Sequence, residues 1–145
     1  MLCTWFRYKF DDISETGGRV EITSPASDAT KLVNVLVDEK NFVHRRVSHV
    51  SSLVADLVDI AVAVHVADRV SLRSWKRQCR LEIVLPVRNP DVFNQTGIKE
   101  KLQDVLAWYT GDDWSFTFEA RTLGPRAVEV QPVFDFPIPG TVEVA

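Results

Sequence analysis

The chain is poor in the residues that build most reactive sites. Its 145 residues include two cysteines, three histidines and six glycines. Cys3 and Cys79 have no metal-ligand spacing, and two cysteines cannot define a disulfide framework, so both read as reduced, packed thiols. His44, His49 and His65 fall in no ligand pattern. Gly17-Gly18 lacks the following lysine and helix that would make a phosphate-binding loop. No apolar run reaches the roughly 20 residues of a membrane span, because Asp56, Asp59 and Asp68 interrupt the best candidate. The opening MLCTWFRYKFDD has no basic start leading into an apolar stretch, so no signal peptide is expected. Positive charge is not in excess either: 20 acidic side chains outnumber 17 basic ones, for a net charge of -3. That balance gives no electrostatic pull towards nucleic acid or an anionic membrane. Internal repeats and low-complexity tracts are missing. These exclusions together imply a cytoplasmic protein.

What is present is apolar mass. A hydrophobic share of 46% and a mean hydropathy of -0.04 are enough for the core of one domain. Its centre is the stretch over residues 50–70, VSSLVADLVDIAVAVHVADRV, which holds no glycine or proline. Valine favours strands, but a strand of about 20 residues would be unusual, so a helix is expected. Leu53, Leu57, Ile60, Ala61, Val64 and Ala67 share one face, and Val54, Val58, Val62 and Val66 a second. Asp56, Asp59, His65, Asp68 and Arg69 are left as a narrow wet stripe, so this helix should be covered on more than one side. Ser48, Ser51 and Ser52 are its candidate N-caps.

Around it the pattern alternates. Residues 2–10 form a strand with Leu2, Thr4, Phe6, Tyr8 and Phe10 on one face. Turn residues ending in Gly17-Gly18 lead to a return strand over 19–23, with Val20 and Ile22 inward. A third strand over 31–38 places Val33, Val35 and Val37 opposite Leu32 and Leu36, completing an antiparallel meander. Beyond the central helix, residues 80–88 make a strand in which Pro86 demands an edge or an ending. Asn89-Pro90 turns the chain. A second helix starts at Thr96 or Gly97, with Ile98, Leu102, Val105, Leu106 and Tyr109 as its apolar face and Gly111 as its left-handed cap. Residues 114–122 alternate as a strand with one face towards water. Pro125, Pro132, Pro137 and Pro139 space out an extended tail. The order implies an α+β fold: a mainly antiparallel sheet covered on one face by two helices, with a Pro-rich extended C-terminal tail.

Few groups invite chemistry. Asp56 and Asp59 lie on one side of the helix, where they could bind a cation or pair with arginines of the same fold. His65, with Asp68 and Arg69 a turn further on, suggests a pairing on the helix surface. Asp112-Asp113 after Gly111 is a turn signal first. Glu82, Arg88, Glu119 and Arg121 read as cross-strand ion pairs. Arg45, Arg46, Lys76, Arg77 and Arg80, near Trp75, could grip phosphates, though the overall acidity makes nucleic acid the weaker partner. No catalytic, cofactor-binding or metal-binding residue is assigned in this chain.

Two stretches together carry a resemblance. The first runs DLVDIA into VADR (residues 56–61 and 66–69). The second joins LEIVLPVR (81–88) to LAWYTGDDWSF (106–116). In this order they resemble the N-terminal region of 7-cyano-7-deazaguanine synthase-like (QueC-like) proteins of bacterial antiphage defence operons. Val142-Glu143-Val144-Ala145 is similar to the start of the first strand of a PP-loop ATPase domain, which in that family runs into a Ser-Gly-Gly-x-Asp-Ser loop. The resemblance implies an accessory domain over residues 1–131 and a linker with the start of the PP-loop domain over 132–145. It further implies a protein partner encoded in the same operon; the absence of a membrane span rests on the apolar runs alone. ATP and zinc are implied only for the parent enzyme, and nothing of its catalytic equipment maps onto this chain. A free-standing interaction adaptor, or a small nucleic-acid-binding domain, would share the same fold.

Overall fold

The computed structural model describes residues 4–13, 17–24, 29–37, 51–71 and 78–126, with side chains in the first strand from Arg7 onward. The elements are β1 (Thr4–Phe10), β2 (Gly18–Ser24), β3 (Ala29–Val35), α1 (Ser52–Val70), β4 (Cys79–Val87), α2 (Pro90–Phe93), α3 (Thr96–Thr110) and β5 (Asp113–Ala120). The fold is α+β, and the sheet order is β3-β2-β1-β4-β5.

The meander of β1, β2 and β3 is antiparallel, as the short turns between these strands require. β4 joins β1 in parallel, and β5 joins β4 in parallel, so the sheet is mixed, with two antiparallel and two parallel pairings. A helix lies between each strand and the next from β3 to β5, and a helical crossover returns the chain to the same end of the sheet. The expected tail beyond residue 126 lies outside the described residues, as do residues 38–50 and the polar segment 72–77.

Registry gathers the apolar side chains on one face. Ile22, Tyr8, Ile83 and Phe116 stand in one row across four strands. Leu81 pairs with Trp114 and Leu85 with Phe118, and all of these are buried. Ile60, Ala63 and Ala67 of α1 pack on this layer, and Leu102 and Leu106 of α3 press against it. A fully buried side chain of this size stabilises by about 1.5–3 kcal/mol, so this layer is the main source of stability. On the opposite face Arg7, Lys9 and Glu21 are exposed, and Arg7 Nε lies 3.9 Å from Glu82 Oε2. An exposed pair of that kind adds little.

Pro86 sits in a central strand without breaking the ladder. The Arg121 N–H donates to the Val87 carbonyl at 2.9 Å, so odd-numbered residues of β4 face β5 and Pro86 faces β1. Pairing with β1 ends at Val84, two residues earlier. The missing N–H therefore falls where no partner strand needs it.

Helix ends follow the sequence. Ser51 is the N-cap of α1, its Oγ accepting from the Val54 N–H. Gly111 ends α3 in the left-handed region at φ 78°, its N–H donating to the Ala107 carbonyl. The polar side of α1 is a correction. Its buried residues are Ala55, Asp56, Asp59, Ile60, Ala63 and Ala67, whereas Leu53, Val54 and Leu57 are exposed. Among the described residues the helix is covered on one side only, and two members of the expected wet stripe point inward.

Candidate functional site

Those two aspartates are the heart of the most elaborate polar structure among the described residues. Asp56 is 0% exposed and Asp59 1%. An ionised carboxylate at such depth needs full pairing. Asp56 receives it from the end of β4. Its Oδ1 accepts from the Arg88 N–H at 2.7 Å and from Arg88 Nη1 at 3.1 Å. Its Oδ2 accepts from the Asn89 N–H at 2.9 Å and from Asn89 Nδ2 at 2.8 Å. One carboxylate of α1 thus satisfies two backbone donors where β4 leaves the sheet.

Asp59, one turn further along the helix, lies among three guanidinium groups. Its Oδ1 accepts from Arg126 Nη1 at 2.6 Å, and its Oδ2 accepts from Arg88 Nη1 at 2.8 Å. Arg121 Nη1 stands 3.7 Å from the same Oδ2. Arg121 also pairs with Asp12, beyond the end of β1, and Asp12 Oδ2 accepts from the Leu123 N–H at 3.1 Å. Arg121 and Arg126 both donate to the Ile13 carbonyl, each at 3.0 Å. Burial and the neighbouring Arg88 push the Arg121 guanidinium below its ordinary pKa, while Asp12 and Asp59 pull it back up. Three carboxylates and three guanidiniums balance to neutrality.

The cluster occupies the carboxyl ends of the parallel strands β1, β4 and β5, where open sheets commonly leave a ligand crevice. Here that position is filled by side chains bonded to one another. The cation held by Asp56 and Asp59 is arginine, the second of the two roles their spacing suggested. Arg88 and Arg121 correct another expectation: each lies just past its strand and turns inward, instead of forming a cross-strand pair on the sheet surface. The opposite end of β4 is held in the same way, with Asp112 Oδ1 accepting from the Cys79 N–H at 3.0 Å. A cleft of about 660 Å³ opens beside the cluster, bounded by Asp11, Gly18, Arg19, Asn34 and Leu36. Asp12 reaches it but is already engaged by Arg121.

The outer face of α3 is the converse. This helix has no buried residue. Leu102 and Leu106 turn towards the core, while Ile98, Val105, Trp108 and Tyr109 project away from it. Trp108 is 86% exposed, Tyr109 80% and Val105 61%. The apolar face expected from the sequence is therefore split, with one part on β5 and the other uncovered among the described residues.

Other candidates do not assemble. His65 is exposed on α1, and His44 and His49 lie outside the described residues. So do Arg45, Arg46, Lys76 and Arg77, which leaves Arg80 as the described member of the basic group. Among the described residues, no three His, Cys, Asp or Glu side chains converge as a metal site, and no helix is long and apolar enough to cross a membrane. Asp12, Asn89 and Arg126 were not legible as members of a site, because Asp12 falls in a stretch that reads as turn chemistry and Asn89 and Arg126 each adjoin a proline that explains them locally. No protein-family model, curated protein or solved structure matches the chain significantly.

Proposed function

We propose that this chain is a non-catalytic accessory domain that recognises a protein partner through the outer face of α3. The observation that carries the reading is the exposure of Trp108 and Tyr109 side by side at the end of that helix, continued by Val105 and Ile98. Contiguous exposed apolar groups mark interaction surfaces, and Trp and Tyr are enriched among residues that dominate binding energy. The neutral Asp–Arg cluster supports the same reading from the other side. Its ionisable groups are occupied with each other at the position where a substrate crevice would otherwise lie.

In this proposal the domain is cytoplasmic and belongs to a QueC-like antiphage defence protein, a part that rests on the resemblance of residues 56–69, 81–88 and 106–116. Chemistry driven by ATP would belong to a neighbouring PP-loop domain. A free-standing adaptor would use the same surface. The reading frame after Ala145 separates the two, since the first requires a Ser-Gly-Gly-x-Asp-Ser loop there.

The test is quantitative co-purification from the native host, with the wild-type chain and the W108S/Y109S variant as baits. The proposal expects a specific protein to be retained by the first and lost from the second, with both baits equally folded by circular dichroism. Equal retention by the two would remove α3 as the recognition surface. Capture of nucleic acid that falls steeply with salt would replace the reading with the basic-patch alternative.

A further inference from the structure

β5 is the last strand of the described sheet, and one of its long sides faces away from β4. Since the Arg121 N–H points to β4, alternation along the strand turns the backbone groups of Trp114, Phe116, Phe118 and Ala120 outward. Such an edge is a template for another strand. Here two of its groups are already engaged. The Phe116 N–H donates to Gln103 Oε1 at 3.1 Å, and the Phe118 carbonyl accepts from Asn94 Nδ2 at 3.0 Å. Gln103 belongs to α3 and Asn94 to the turn before it, so both amides reach β5 from the preceding connection. The chemistry is matched in each case, with an acceptor set on a backbone donor and a donor on a backbone acceptor.

The edge also suits a copy of itself. An antiparallel copy centred on Thr117 would set Phe116 opposite Phe118, Trp114 opposite Ala120 and Ser115 opposite Glu119. No like charges would meet, and the aromatic rows would run on from one molecule to the next. We propose that Asn94 and Gln103 guard the outer edge of β5 against strand addition by a second copy of this chain. The two side chains occupy backbone positions that an incoming strand must use, and both are polar and anchored on the connection that precedes β5. This inference is independent of the partner proposed for the outer face of α3.

The test uses the full chain and four variants: Q103A, Q103E, N94A and N94D. Hydrogen exchange at the Phe116 amide is the direct readout. Loss of the Gln103 acceptor should speed it on the order of tenfold in Q103A. Q103E, which keeps an acceptor oxygen, should stay near wild type. Sedimentation across rising concentration is the second readout. The N94A/Q103A pair should associate at lower concentration than the wild type, and N94D should resemble N94A because a carboxylate cannot donate to the Phe118 carbonyl. Unchanged Phe116 exchange in Q103A would overturn the guard outright. So would faster exchange with no change in association of the double variant. If the double variant does not fold, the single variants and the Q103A–Q103E contrast carry the same decision.

Discussion

α1 and α3 lie on the same face of the same sheet and treat polarity in opposite ways. α1 buries two aspartates and leaves Leu53, Val54 and Leu57 in solvent. α3 buries nothing completely and carries the most exposed tryptophan and tyrosine of the described residues. Amphipathic periodicity identifies which residues share a face of a helix, but not which face turns inward. For α1 the choice is made by partners that arrive from two other places: Arg88 beyond β4, and Arg121 with Arg126 beyond β5. A charged group is buried when its counter-charges are delivered to it, and an apolar one stays out when no surface is left to receive it.

This contrast can be broken at several points. The largest effect is expected from Asp56→Ala, which removes one of the two carboxylates on the Arg88 guanidinium and takes the acceptor from the Arg88 and Asn89 backbone N–H groups. Removal of one member of a buried ionic cluster costs about 3–5 kcal/mol, and urea unfolding should register it as a lower midpoint with unchanged slope. Next come neighbours on α1. Ile60→Ala should cost about 2–5 kcal/mol, as for a truncated core side chain, whereas Leu57, 54% exposed, should change stability by within about 0.5 kcal/mol on truncation. The reverse order would place Leu57 rather than Ile60 against the sheet. A smaller loss, about 1 kcal/mol, should follow Gly111→Ala, because α3 ends there at φ 78°. The open space around Gly111 leaves backbone strain as the cause, so Gly111→Asn should recover part of that loss in the same thermal melt.

Much of the architecture was legible where local chemistry decides it. The meander of β1 to β3 follows from alternation and turn residues, the end of α3 from Gly111, and β5 from the run Trp114, Phe116, Phe118. The parallel placement of β4 and β5 was not, because it depends on the path of the chain through the helices rather than on any strand. The candidate site was legible only in its first half. Asp56 and Asp59 suggested arginine partners by their spacing, yet Arg88 and Arg121 read as surface residues of their strands. Strand alternation assigns a face to each residue up to the end of the ladder, and both arginines lie one residue past it, where the rule no longer holds. Trp108 and Tyr109 carried a usable signal: adjacent residues on a helix are about 100° apart, so two large aromatics in sequence cannot both face one sheet.

The most direct measurement sets the two regions against each other as unfolding free energies of D59A and W108S/Y109S under the same conditions. If the inner charges hold the fold together and the outer aromatics serve something beyond it, the first falls by about 3–5 kcal/mol and the second stays within about 0.5 kcal/mol of wild type. Equal losses in the two, or a larger one in the aromatic pair, would contradict the account.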